Sequence, residues 1–412
     1  MNPDVIFIGA GPIGLLAAIQ LKLQFPEKEI LMFEKYENPS RNHAMYVEQN
    51  SFTGMNRDKG FGELLDGIPS KVLISDLEKT LREYAQSIGI EIQYQEIKDF
   101  NELKTQYPDT KYFIGSGGLR GIIHPQVFNN ENQINEPLRY AVEVKYKVSG
   151  KTRSLNKVTE LPGVLAYTNH LVSEYVGRLK DDLTPISLRI FIDELTYQAM
   201  KDATFKNPFT LNDTDKIPEG LFNTINTYLK ARNHLTGEVF EKDNLKISTI
   251  ILSIYASKEF CKKEDGKIVF QLGEEAFACP FYRSFNDNAA CIPLFTKTIS
   301  ALFENTNIEV NKISSTSIFS SAITEEEPLE YYKHSVQSFV NSEVRTIHFL
   351  NTGIEMLETS VASSQSIPQF TGSKLKLKSE GRTFLDEVNR DRKQERTAEE
   401  DLSSSTSKCI LL

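Results

Sequence analysis

Three glycines near the N-terminus, Gly9, Gly11 and Gly14, stand in the spacing G-x-G-x-x-G, with Pro12 directly after the second. This spacing suits a turn between a strand and a helix. The first glycine makes the turn, the second lets the backbone approach a pyrophosphate, and the third lets helix and strand pack closely. The helix that follows directs free N–H groups at the phosphates. Glu34 comes 20 residues after Gly14, where a carboxylate can accept hydrogen bonds from an adenosine ribose. The chemistry implied is dinucleotide binding, and the spacing does not separate NAD from FAD.

A second chemistry-bearing pattern ends the sequence. Cys409-Ile410-Leu411-Leu412 reads as a C-a-a-X box with Leu last, which predicts geranylgeranylation of Cys409 by a host prenyltransferase. The preceding Ser403 to Lys408 is polar, as an accessible substrate of that enzyme would be. Segment 374–412 carries nine Lys/Arg and eight Asp/Glu, so it offers no polybasic second signal and attachment would rest on one lipid. The expected location is the cytoplasmic face of membranes in a eukaryotic cell.

The elements that position the glycines follow from local patterning. Val5 to Ile8 is a β-branched and aromatic run ending at Gly9, Leu15 to Leu23 has helical apolar spacing, and Glu29 to Glu34 reads as a strand buried on both faces. Together they predict a βαβ unit. Lys71 to Ile88 is expected to be helical, with Ile74, Leu77, Leu81, Tyr84, Ala85 and Ile88 on one face. Short strands are expected at 90–94 and 112–114. Tyr140 to Val148 alternates strictly apolar and polar, the mark of an antiparallel strand with one wet face. Ile186–Ile192 and Ile247–Tyr255 read as further strands of that sheet, Lys267–Leu272 as a return to the first one, and Pro328–Ser360 as a helix.

The fold class predicted is α/β: a Rossmann-like domain with an inserted antiparallel β-sheet domain, C-terminal helices and a flexible tail. The expected boundaries are 1–125, 126–264, 265–363 and 364–412. The 412 residues, with 47 Lys+Arg against 56 Asp+Glu and a formal net charge of -9, exclude collagen and coiled coil and argue against a general nucleic-acid grip. Cys261, Cys279, Cys291 and Cys409 form no CxxC pair, so neither a zinc site nor a disulfide framework is expected. The uncharged stretch Val5–Leu21 is interrupted by its glycines and Pro12 and lacks basic flanks, so it predicts neither a signal peptide nor a membrane span. Lone histidines, His124 among them, read as satisfied polar residues rather than catalysts.

Further motifs narrow the cofactor. Glu34-Lys35 is followed by Ser40-Arg41-Asn42, Ile114-Gly115-Ser116-Gly117-Gly118-Leu119-Arg120 closes a strand in glycines, and Gly273-Glu274 is followed by Pro280 and Asn288. In these the chain resembles the flavoprotein aromatic hydroxylases typified by para-hydroxybenzoate hydroxylase. In its Lys35 and Arg41-Asn42 region it looks particularly like the MICAL monooxygenases. The resemblance spans roughly residues 3–125 and 265–300 and implies FAD. It implies that Glu34 holds ribose, that Lys35, Arg41 and Asn42 lie along the phosphates and flavin, and that Gly273, Glu274, Pro280 and Asn288 form the ribityl side. An active enzyme of this kind would take electrons from NADPH or NADH and deliver one oxygen atom of O₂ to a substrate docked against the sheet. No side chain is named as its acid or base.

Four positions depart from the family pattern. Ser75 stands for a cofactor-side arginine, Gly117 for an aspartate, and Ser284 and Asn286 for two glycines. They keep a second reading open: a noncatalytic, prenylated adaptor or effector that uses the same fold, with or without FAD, to bind a host protein.

Overall fold

The computed structural model describes residues 2–38, 44–128, 133–155, 172–240, 244–280, 283–313 and 321–364. In chain order the strands are β1 (Val5–Ile8), β2 (Ile30–Glu34), β3 (Ala44–Tyr46), β4 (Lys71–Leu73), β5 (Glu91–Tyr94), β6 (Tyr112–Gly115), β7 (Gln133–Ser149), β8 (Val172–Val176), β9 (Leu183–Ile192), β10 (Lys246–Ser257), β11 (Cys261–Glu264), β12 (Lys267–Gln271), β13 (Phe277–Ala278), β14 (Ile308–Ile313) and β15 (Ser321–Glu326). The α-helices are α1 (Pro12–Gln24), α2 (Phe61–Asp66), α3 (Ile74–Ser87), α4 (Phe100–Gln106), α5 (Glu194–Met200), α6 (Glu219–Thr236), α7 (Ser284–Ala290), α8 (Ile292–Glu304) and α9 (Pro328–Ser364).

β1 pairs in parallel with β2 on one side and β6 on the other, as expected of a βαβ unit with a strand buried on both faces. The complete sheet runs β11-β12-β6-β1-β2-β5. Alternate residues of β1 feed two cores. Val5 and Phe7 join Leu15, Ile19, Met32 and Phe295 on the side of α1 and α8, while Ile6 and Ile8 join Leu31, Phe33, Phe100 and Phe113 on the side of α4. The rings of Phe7, Phe295, Phe270 and Tyr332 follow one another edge to face, with centroids 6.4, 5.3 and 5.2 Å apart along the series. Tyr332 belongs to α9, so the long C-terminal helix reaches the core of the parallel sheet.

The second sheet, β13-β10-β7-β9-β8, is antiparallel throughout. Val142, Val144, Tyr146 and Val148 turn inward from β7 as the alternation requires, and they pack with Ile186, Leu188 and Ile190 of β9 and with Leu221, Ile225 and Leu229 of α6. β10 lies beside β7 along its whole length, from Lys246 opposite Lys145 to Ser257 opposite Gln133. Buried Arg232 of α6 pairs with Glu174 and Glu238, while Tyr228 donates to Glu174 at 3.2 Å. These bonds fix α6 to β8.

Several elements differ from the patterning. Residues 71–73 are the strand β4, paired with β3, and the helix begins only at Ile74. The helical periodicity runs on into a strand whose partner lies 29 residues earlier, Ala44 opposite Leu73. The β11–β12 hairpin turns on Asp265 and Gly266, both with positive φ (50° and 76°), a sequence signal for a tight hairpin. α4 starts at Asp99, whose carboxylate accepts the N–H groups of Asn101 and Glu102. The hairpin β14–β15, α2, α4 and the pair α7–α8 were not foreseen. Arg41, Asn42 and the C-terminal segment with Cys409 lie outside the described residues. No helix among the described residues is long and apolar enough to cross a membrane, and no cluster of His, Cys, Asp or Glu among them could hold a metal.

Candidate dinucleotide site

The turn after β1 uses its three glycines for different reasons. Gly9 has φ +107°, and a Cβ there would stand 2.5 Å from the backbone oxygen of Ser116. A Cβ on Gly14 would meet the Ser116 hydroxyl at 2.5 Å and the Gly9 oxygen at 2.8 Å. Gly11 is different, because no described atom lies within 4 Å of the Cβ it lacks. Two glycines are demanded by the chain's own packing, and beside the third the outer side of the turn is open among the described residues. α1 then begins with Pro12 at its first position, has no capping side chain at Gly11 and carries no acid in its first turn. That end of the helix keeps its positive polarity toward the open side.

Glu34 closes this turn from β2. One carboxylate oxygen accepts the N–H of Ala10 at 2.8 Å and the other accepts the N–H of Tyr36 at 3.0 Å. Arg82 of α3 lies 3.8 Å from the same carboxylate and donates to the carbonyls of Tyr36 and Glu37 at 3.1 and 2.9 Å. Its side chain is 7% exposed, so a buried cation orients both Glu34 and the segment leaving β2. Sequence reasoning passed over Arg82, which sits next to Leu81 on a helix whose apolar face explained itself. Lys35 points elsewhere, to the exposed Glu96 at 2.6 Å. Ser75, in the first turn of α3, is half-buried.

The second and third glycine-bearing motifs meet at the same place. Ser116 donates through its hydroxyl to the Gly9 carbonyl at 2.7 Å. Gly273, with φ +66°, packs beside Ile13 at the start of α1. The carboxylate of Glu275, 1% exposed, accepts N–H bonds from Gly117 (2.8 Å), Ile123 (2.9 Å) and His124 (3.2 Å). Burial pushes this carboxyl up to about 7, and the three N–H bonds oppose the rise without cancelling it. Glu275 was not singled out from the sequence, since its neighbour Glu274 matched the motif. Glu274 itself accepts from the Ser284 hydroxyl at 3.4 Å.

At α7 the two positions expected to be glycine are built differently. Asn286 is buried; its amide oxygen accepts from the Glu48 N–H (2.9 Å) and the Ser51 hydroxyl (3.1 Å), and its amide nitrogen donates to the Tyr46 carbonyl (3.0 Å). Asn288 donates to the carbonyls of Phe277 (3.0 Å) and Ser284 (2.7 Å). Pro280 is buried just before α7. Arg283 pairs with Asp287 of α7 and with Glu343 of α9. Cys279 and Cys291 are buried, and burial raises both thiols well above their ordinary range. His124 is buried with Nδ1 3.0 Å from Gln271, and its Nε2 has no partner among the described residues.

No family model matches the chain, and no curated protein matches it in sequence. Solved structures do resemble it. AlpK is 13% identical, with a TM-score of 0.51 over 89% of this chain and 74% of that one. A variant of the halogenase PltM in complex with FAD is 12% identical, with a TM-score of 0.53 over 86% of this chain and 77% of that one. At such identity the likeness is one of fold: the chain has the mixed α/β fold of these proteins, a parallel sheet bearing the glycine turn joined to an antiparallel sheet and closed by C-terminal helices.

Proposed function

We propose that the chain is an FAD-binding oxidoreductase of the aromatic-hydroxylase type, held on the cytoplasmic face of eukaryotic membranes by a geranylgeranyl group on Cys409. The observation that carries the cofactor reading is the contrast within the turn: Gly9 and Gly14 are filled by the chain itself, whereas at Gly11, beside an uncapped helix N-terminus, no described residue fills the space. A pyrophosphate fits that opening, with the Ile13 and Gly14 amides as donors and Glu34 as the ribose acceptor. The fold shared with the FAD-bound halogenase agrees with FAD over NAD. When bound, FAD would supply electron transfer from NADPH or NADH and the activation of O₂.

The chain's own part is to bind, orient and exclude water. Arg82 holds Glu34 in its ribose-facing position, Asn286 pins the 46–51 segment to α7, and β7 to β10 offer the surface on which a small molecule or a protein substrate would dock. A specific observation favours the second reading, that of a prenylated adaptor for a host protein: Asn286 spends its amide on Tyr46, Glu48 and Ser51, where the family resemblance expects glycine to leave room for flavin.

A visible absorption spectrum of the purified protein, followed on addition of NADPH or NADH, tests both. Flavin bands near one per chain support the cofactor reading, and a colourless protein that does not take up added FAD overturns it. Slow or absent reduction by either nucleotide is expected without a partner, given Gly117, Ser284 and Asn286. Rapid substrate-independent reduction would remove the grounds for the adaptor.

A further inference from the structure

The loop that leaves β6 is shaped around a side chain from another part of the chain. A Cβ on Gly121 would overlap the carboxyl carbon of Glu275, and a Cβ on Gly115 would stand 3.0 Å from it. Gly117, which gives one of the three N–H bonds, would carry its Cβ 2.9 Å from the Cα of Gly121 and 3.5 Å from a Glu275 oxygen. The loop has therefore closed over the Glu275 carboxyl, and its glycines are the room that closure needs. The other end of Glu275 is fixed too, since its carbonyl accepts the Tyr255 hydroxyl at 3.2 Å. Two residues earlier, Gly273 packs on Ile13 at the head of α1.

We propose that Glu275 is a positioning residue: it supplies the 117–124 loop with a carboxylate from outside the loop, and thereby locks that loop, the turn at Gly273 and the head of α1 into one unit that presents the dinucleotide turn. This rests on the FAD reading above. The chemistry of the lock is a single acceptor group serving three backbone donors from positions 117, 123 and 124. Donors in such a cluster cannot be matched by an amide. One oxygen of Glu275 takes two N–H groups and the other takes one, so in Glu275→Gln an NH₂ faces at least one N–H whichever way it turns.

The test uses the full chain as wild type, Glu275→Gln and Glu275→Ala, with residue-resolved hydrogen exchange at pH 8 and FAD affinity from flavin fluorescence. The expected result is exchange at least tenfold faster at Gly117 in Glu275→Gln and at all three amides in Glu275→Ala, with the amides of β7 and β9 in the antiparallel sheet unchanged. FAD binding should weaken at least tenfold in both variants. Wild-type exchange at all three amides in both variants overturns the lock. Faster exchange with unchanged FAD affinity overturns its service to the cofactor. A wild type that takes up no FAD defeats the functional reading instead, and the amide rates still decide whether Glu275 holds the loop. Should Glu275→Ala fail to fold, Glu275→Gln, which keeps the side-chain volume, carries the measurement.

Discussion

The carboxylate of Glu34 accepts the N–H of Ala10 at 2.8 Å, so the last side chain of the second strand is bonded into the turn of the first. The group that would meet a ribose therefore also shapes the turn that would meet the pyrophosphate. Glu34→Ala leaves the Ala10 N–H without its acceptor and buried Arg82 without its counter-charge. Urea unfolding is expected to show a loss of about 2–4 kcal/mol, and Glu34→Gln, which keeps an acceptor, should lose less. Equal losses in the two variants would mean that the Ala10 bond contributes nothing.

The three glycines should separate by experiment. Gly9→Ala forces a side chain into left-handed backbone 2.5 Å from Ser116, so a loss of about 3 kcal/mol or more is expected. Gly11→Trp meets no neighbour among the described residues, so thermal unfolding should stay within about 0.5 kcal/mol of wild type while flavin content falls to background. Full flavin content in Gly11→Trp would place the cofactor elsewhere.

Glu275 also ties stability to pH. Its folded carboxyl lies near 7 against an ordinary 4.5, so between those values the folded chain holds a proton that the unfolded chain has released. The sign follows: this contribution is complete below about pH 4.5 and is lost as pH rises through about 7, amounting to about 3 kcal/mol in full. Its titratable neighbours are His124, which gives one of the N–H bonds, and Tyr255, which bonds the Glu275 carbonyl. Unfolding free energies measured from pH 5 to 8 should fall more steeply for wild type than for Glu275→Gln. Parallel curves would assign the slope to other groups.

Membrane residence is predicted to depend on one thiol. Expressed in a eukaryotic cell, wild type should sediment with internal membranes and Cys409→Ser should remain in the cytosolic fraction, because neither the net charge of -9 nor the balanced C-terminal segment favours an anionic leaflet. Identical fractionation of the two would locate the attachment elsewhere or deny it.

What could be read from the sequence was local. The apolar run of β1, the glycine spacing and the alternation of β7 each report on the residues that carry them, and all three elements stand where the patterns put them. The features that set the site's geometry join distant segments. Glu275 reaches Gly117 across 158 positions and Asn286 reaches Glu48 across 238, and neither pattern nor propensity encodes such pairs. Arg82 was hidden for a related reason: an arginine on an amphipathic helix reads as solvated until the carbonyls of Tyr36 and Glu37 are seen to close over it. The Asp265-Gly266 turn is the exception, a local signal that went unread.

The side-by-side course of β7 and β10 gives four of the second sheet's five strands a common doorway: the chain enters β7 at Gln133 and leaves β10 at Ser257, its direct partner, and the two-residue β13 is added later against Tyr255 and Ala256. A segment whose two ends are neighbours can be exchanged as a cassette, since its replacement need only match that ribbon and the short β13 beside it. The antiparallel sheet could thus be replaced as a unit while the half that carries the glycine turn is kept. Two halves of one polypeptide can in this way record different histories.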